Sequence, residues 1–418
     1  APAVTVVGFF SIFDRIYRIF AHTIYHWNRN HLVVMGHNED TIKFIKNHLD
    51  TEDKLSVILV CDIADPVDVT SYQNLMTKVV RLDFSQPANP INARTIKDEK
   101  LDEVDILISF LNEPENYGQI DAFHGMLGNC EKTINVYLKT QGPRLKQLVE
   151  PTLDLMNSFD VHYFSIEDLL VKDFLENSVF QLPKPEGLEA AWSRKDIQSY
   201  KDIANKLGRY NILLIGFSDM TRAFLMQSSN LLTVNPMKRM AVTIIDVNAT
   251  AEFAKFSDYR RELDKVMEVE CIDVPRQSAI DPVMLGERQA ADPYQLVFFG
   301  LDNAIENMVL VDRLVDVFKD VPFAIYTKEE KQVETVLRSL NLKHGQLHAF
   351  GDPQKVLDKE TIIEEKLYDK AKDFNVVYDK TLEKILGFPS GEESREAKWI
   401  DCPQYDKERI ELVPSRPS

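Results

Sequence analysis

The sequence predicts an α/β protein made of two tandem Rossmann-like domains, each a doubly wound parallel sheet, with a small helical appendage at the C-terminus. Three observations carry this. Asn30 to Met35 runs largely apolar into Gly36, and a polar turn then gives way to the helical pattern Thr41 to Leu49, the order of a buried parallel strand entering a helix. The same pattern is written again at Tyr210 to Thr221, and aligned on Gly36 and Gly216 both copies read Gly-x-(Asn/Ser)-x-x-Thr. Around each copy, strand-like apolar runs alternate with helical ones, as a parallel sheet requires.

After the Gly36 helix, Leu55 to Asp62 reads as the second strand and ends in an acid. Asp62 lies 26 residues beyond Gly36 (62 − 36), near the ~20 expected of an acid that meets a ribose diol. Lys78 to Asp83, Val104 to Phe110, Thr133 to Leu138 and Val161 to Phe164 supply four more strands, and an amphipathic helix follows from Ile166 to Phe180. Pro183-Lys184-Pro185-Glu186-Gly187 is the candidate linker. In the second half Val242 to Asp246 matches the Asp62 strand and Val269 to Asp273 the Asp83 strand, with Gln295 to Gly300 and Phe323 to Thr327 completing five strands in order. The predicted organisation is therefore an apolar or amphipathic helix at 1–29, Rossmann-like domains at 30–182 and 188–355, and a helical region at 356–418.

With 418 residues, 44% of them hydrophobic and 28% charged, the chain has the make-up of a globular protein with full cores. A net charge of −17 argues against a nucleic-acid partner, which needs a basic face to displace counterions. Cys61, Cys130, Cys271 and Cys402 form no Cys-x-x-Cys pair, and Cys61 and Cys271 sit in apolar or strand-like runs, so reduced core thiols at those two and a reducing, cytosolic compartment are expected. Ala1 to Phe13 carries no charge but is too short to span a bilayer. It reads as the end of a spanning helix, an interfacial helix, or a helix packed on a neighbour.

In a phosphate-cradling turn the second and third glycines admit the pyrophosphate and let helix and strand pack closely. Here only the first glycine survives. Asn38 and Ser218 stand at the second position, Thr41 and Thr221 at the third. Asn38 and Ser218 have two readings, as hydrogen-bond donors to an anion at the helix N-terminus or as caps bonding the local backbone. Asp62 and Asp246 likewise read as ribose acceptors or as solvated strand-end acids, and so, more weakly, do Asp83 and Asp273. No nucleophile elbow, Walker loop or metal-ligand spacing of histidines is present in the sequence.

The run Asn30 to Gly36, the strand-end Asp62, Leu82-Asp83, and Ile106 to Ser109 leading to Asn116 resemble the regulator-of-potassium-conductance (RCK) domain, also called the TrkA N-terminal domain. The tandem arrangement across residues 30–355 is similar to the gating-ring modules of ligand-regulated channels. Leu347 to Asp352, Ile362 to Tyr378 and Lys398-Trp399-Ile400 resemble the junction at which some bacterial membrane proteins join TrkA-type domains to a ryanodine-receptor repeat domain. The resemblance implies a non-enzymatic regulator of potassium or other ion transport at the cytoplasmic face of the cell membrane. It further implies a homo-oligomer, a dimer or tetrameric gating ring, with membrane-spanning helices before the first residue and no nucleic acid as partner. The implied ligands are NAD(H), ADP-ribose-type compounds, adenine nucleotides or ions, an expectation weakened by the departures at Asn38, Thr41, Ser218 and Thr221. The candidate binding residues are Gly36, His37, Asn38, Thr41, Asp62 and Asp83, and Gly216, Phe217, Ser218, Thr221, Asp246 and Asp273. The alternatives are a tandem-Rossmann NAD(P)-dependent enzyme, motivated by the strand-end acids, and an assembly scaffold that binds no ligand.

Overall fold

Apolar runs that lead into glycine become parallel strands here. The structure, a computed structural model, describes residues 31–51, 55–112, 115–127, 132–140, 158–177, 210–231, 239–258, 260, 263–337 and 347–363. The N-terminal apolar run, the Pro183 to Gly187 linker, Cys130, Cys402 and most of 356–418 lie outside the described residues.

The first sheet contains β1 (His31–Met35), β2 (Ser56–Asp62), β3 (Lys78–Leu82), β4 (Ile106–Ser109), β5 (Ile134–Lys139) and β6 (Phe159–Phe164). Its order is β3-β2-β1-β4-β5-β6, and every pairing is parallel. Helices α1 (Glu39–Leu49), α2 (Val69–Asn74), α3 (Pro90–Asp98) and α4 (Glu115–Leu127) connect the strands. The chain reverses direction across the sheet between β1 and β4, and such a switch point is where open α/β sheets form a crevice.

α5 (Ile166–Asn177) precedes the second sheet, made of β7 (Asn211–Ile215), β8 (Met240–Asp246), β9 (Met267–Asp273), β10 (Leu296–Phe299), β11 (Phe323–Tyr326) and β12 (Leu347–Phe350). The order β12-β11-β10-β7-β8-β9 is that of the first sheet read from the other edge, again all parallel. The helices are α6 (Asp219–Leu231), α7 (Ala249–Ser257), α8 (Leu263–Val266), α9 (Pro282–Ala291), α10 (Ala304–Leu314), α11 (Glu330–Leu337) and α12 (Lys359–Ile362). The sequence gives this half five strands. The sixth is β12, a four-residue edge strand that pairs with β11 from Leu347 to Phe350.

Helix starts follow local chemistry. Asn89 and Asp281 each accept a first-turn N–H and are followed by Pro90 and Pro282, whose missing N–H costs nothing at that position. The chain divides into two compact units that part between Ile166 and Glu167 and again between Val356 and Leu357. Most of α5 therefore belongs with the second sheet, where Phe174 stacks on Phe350 at 4.5 Å and Asp168 accepts from Gln227. Leu357 belongs with the first, its carbonyl accepting from Asn47 at 2.8 Å. Cys61 is buried, Cys271 half-buried, and both are free thiols. Burial pushes each up to about 11, so neither is poised as a thiolate.

Candidate functional site

Each glycine turn sits at the carboxyl end of its first strand, beside the switch point. Gly36 has φ +100° and Gly216 φ +88°, backbone that favours glycine. Space excludes a side chain as well. A Cβ on Gly36 would lie 3.1 Å from the Leu111 nitrogen, and one on Gly216 2.5 Å from Leu301 Cδ2 and 3.0 Å from the Leu301 nitrogen.

The residues that replace the later glycines are used by the turn itself. Asn38 is the N-cap of α1, its Oδ1 accepting from the Thr41 N–H at 3.0 Å, while its Nδ2 donates to the Phe110 carbonyl at 2.7 Å. Ser218 Oγ donates to the Gly300 carbonyl at 2.5 Å. Phe110 and Gly300 each follow the fourth strand of their sheet, so in both copies this side chain ties the first strand's turn to the neighbouring strand's end. Thr41 Oγ1 donates to the Gly36 carbonyl at 3.0 Å, and Thr221 Oγ1 to the Gly216 carbonyl at 2.8 Å, both from fully buried positions. Asn38 thus makes the cap bond of one of its two readings, while Ser218 bonds a carbonyl 82 residues away.

The position after the glycine differs. His37 is exposed, and its Nδ1 bonds the Tyr72 hydroxyl at 2.8 Å. Tyr72 itself is buried, which pushes its phenol up to about 12. Phe217 is buried instead, edge-on to Phe253 and Phe256 at 6.1 and 5.9 Å, with the Arg222 guanidinium 5.2 Å from its ring centre.

Strand register separates the two second-strand acids, which sequence order makes equivalent. Met35 pairs with Val60 and Ile215 with Ile245, which sets Gly36 beside Cys61 but Gly216 beside Asp246. Asp62 thus lies one residue later than Asp246, and a one-residue step along a strand turns a side chain to the opposite face. Asp246 faces its glycine turn, where Oδ2 accepts the Phe217 N–H at 2.7 Å, and Oδ1 accepts from Val247 N and the Gln277 amide. Asp62 turns away, accepting from Ala64 N at 2.8 Å and Phe84 N at 3.3 Å. Nor are the third-strand acids equivalent. Asp246 pairs with Asp273 whereas Asp62 pairs with Leu82, so Asp83 lies further along its strand end. Asp83 accepts from Ser85 and Gln86 in a local turn. Asp273 accepts the Thr250 N–H at 3.0 Å and thereby caps α7, and that bond holds its carboxyl below the usual range.

Several further residues at the two mouths have no local sequence signal. Lys139, at the end of β5, reaches Asp40 in the first turn of α1 at 2.8 Å, a pair 99 residues apart in sequence with both side chains largely buried. The same positions in the second unit hold Tyr326 and Met220. There, burial and then the carboxylates of Glu167, Asp302 and Asp219 push the Tyr326 phenol up to about 12. At the end of β4, Ser109 Oγ and Asn116 Oδ1 are buried with no partner among the described residues. The corresponding Asn307 is fully used, accepting from Leu301 N at 3.1 Å and donating to the Leu301 and Tyr326 carbonyls. The first mouth thus holds a lysine paired with Asp40 and two unspent polar atoms, whereas the second holds Arg222 between Asp219 and Glu252, further acids round Tyr326, and one unspent oxygen, Gln277 Oε1.

Among the described residues no group of three or more His, Cys, Asp or Glu is placed to hold a metal ion, and no helix is long and apolar enough to cross a membrane.

No family model matches the chain, and no curated protein matches it. Solved structures do match. The GsuK RCK domain is 10% identical across 82% of this chain and 78% of that one, with a TM-score of 0.47. The GsuK channel bound to NAD is 11% identical across 83% and 66%, TM-score 0.49. The human SLO3 gating ring is 9% identical across 86% and 85%, TM-score 0.46. Likenesses at these identities and scores assign no function to the chain.

Proposed function

We propose that the chain is a regulatory ligand-sensing module of the gating-ring kind, serving a membrane channel or effector in ion transport and working as a homo-oligomer at the cytoplasmic face. The reading rests on the RCK-like residues of the sequence and on one observation, the unequal use of two copies of the same turn. In the second unit Asp246 occupies the Phe217 N–H, Arg222 is held by Asp219 and Glu252, and the carboxylates of Glu167, Asp302 and Asp219 act on Tyr326. In the first unit Asp62 leaves the turn alone, and Lys139 lies across the mouth. An anionic ligand such as NAD(H), ADP-ribose or an adenine nucleotide is therefore assigned to the first unit, at Gly36, His37 and the N-terminus of α1, with Lys139 leaving Asp40 for the anion. Gly216, Phe217, Ser218, Thr221, Asp246 and Asp273 hold the second unit together. Regulation then needs only that the ligand favour one arrangement of the assembly over another.

The test is a thermal-shift titration of the full chain with NAD, NADH, ADP, ATP and ADP-ribose. A ligand at a hundred times its dissociation constant stabilises by roughly 2.7 kcal/mol. The expected result is a saturable shift that Lys139→Ala weakens and Asp246→Asn leaves in place. A shift lost in Asp246→Asn alone overturns the assignment to the first unit. No shift with any of the five favours the scaffold reading, which the internally bonded Asn38 and Ser218 support.

A further inference from the structure

A cleft of about 370 Å³ opens between α9 and the first halves of β8 and β9, at the opposite end of the sheet from the Gly216 turn. Its floor is polar and buried. Thr243 and Tyr294 are 5% and 4% exposed, and the Tyr294 hydroxyl donates to Thr243 Oγ1 at 3.2 Å. Beside them Arg288 holds Glu270 through two bonds, at 2.7 and 2.8 Å, and Asn211 Nδ2 donates to the Asp292 carbonyl at 2.8 Å.

The first unit supplies an internal control. By register Thr243 corresponds to Ile58, Tyr294 to Val104, and Glu270 to Lys78. Ile58 and Val104 are buried in an apolar cluster, and Lys78 pairs with Glu99. One copy thus has a packed apolar floor under a lysine–glutamate pair, the other a hydroxyl floor under an arginine–glutamate pair. The Tyr294 ring packs edge-on to Phe318 at 6.0 Å within the second unit's apolar cluster, so what the second copy adds at the cleft is the hydroxyl pair of Tyr294 and Thr243.

The chemistry on offer selects an occupant. Tyr294 donates to Thr243 and is also bonded by Arg288, so the Thr243 proton is what remains for a further partner. Two of the three carboxylates that line the cleft are matched, Glu270 by Arg288 and Glu268 by Arg239 at 2.8 Å, and with Asp292 as the third the lining does not favour an anion. Hydroxyls that both donate and accept suit the outer edges of a guanidinium–carboxylate pair. We infer that this cleft is a binding site for a neutral, hydroxyl-rich small molecule of sugar size, separate from the glycine turns. Its volume lies within the ~300–1,000 Å³ of small-molecule sites.

The test is saturation-transfer NMR and calorimetric titration of the full chain with methyl β-D-ribofuranoside and myo-inositol, with ribose 5-phosphate as the charged counterpart. Thr243→Ile places in the cleft the residue that the first unit carries there, so the fold has a precedent for it. Arg288→Met is the second variant should that one misfold. The expected result is saturable binding of a neutral probe, weakened at least tenfold by either variant. Binding of neither neutral probe, binding that survives both variants, or tighter binding of ribose 5-phosphate in the cleft would overturn the proposal.

Discussion

The two glycine turns share a pattern and a backbone but differ in how the next strand meets them. In the second unit an acid stands opposite the glycine and closes on the turn's N–H. In the first a buried cysteine stands there, and the acid comes one residue later on the other face. Duplication therefore preserved the framework while a single step of register reassigned the carboxylate. The consequence is general, since residues equivalent in sequence order need not be equivalent in a sheet, where one step exchanges the faces.

The largest expected effects come from the glycines that both turns require. Gly36→Ala and Gly216→Ala should each cost about 3 kcal/mol, from a left-handed backbone plus crowding, read as a fall in the urea midpoint. The two then diverge. The nearest atom to the added Cβ at Gly216 is Leu301 Cδ2, whereas at Gly36 it is a backbone nitrogen. A double-mutant cycle should show coupling of more than ~0.5 kcal/mol between Gly216→Ala and Leu301→Ala, and less between Gly36→Ala and Leu111→Ala. Equal couplings would break the comparison at its closest contact.

Next come the residues that replaced the second glycine. Asn38 caps α1 and bridges to Phe110, whereas among the described residues the Ser218 side chain makes the bridge to Gly300 alone. Asn38→Ala should cost about 2 kcal/mol and Ser218→Ala about 1 kcal/mol, measured by chemical denaturation. A larger loss at Ser218 would reverse the assignment of roles.

The smallest effect is a pH dependence confined to one copy. The Thr250 N–H holds the Asp273 carboxyl below its ordinary value of about 3.9. The stability this bond contributes is present above about pH 4 and is lost as pH falls through the lower folded-state value. Asp273→Asn should therefore flatten the acid limb of a denaturation-midpoint curve between pH 6 and pH 3. An unchanged limb would mean that the capping bond does not couple to folding.

Much of the framework was legible before the structure. Hydrophobic runs such as Leu32 to Met35 and Ile212 to Ile215 are buried on both faces and read as parallel strands because nothing else buries so uniformly. The edge strand Leu347–Phe350 escaped because its side chains are mostly half-buried and it spans four residues, too short to show a period. Register escaped for a different reason. Asp62 is 26 residues past Gly36 and Asp246 is 30 past Gly216 (62 − 36 and 246 − 216), and a difference of four in a connection hides an offset of one in the sheet. The bonds of Asn38 and Ser218 to the Phe110 and Gly300 carbonyls were not legible, because those partners lie 72 and 82 residues away. Lys139 carried no signal at all, since its partner Asp40 is 99 residues away.

The most direct test of the central claim is hydrogen exchange of the full chain with and without saturating ADP or NAD, comparing peptides that cover 36–44 with those that cover 216–224. The account predicts added protection in the first and none in the second, because Asp246 already holds the turn there. Protection at 216–224 with none at 36–44 would contradict it.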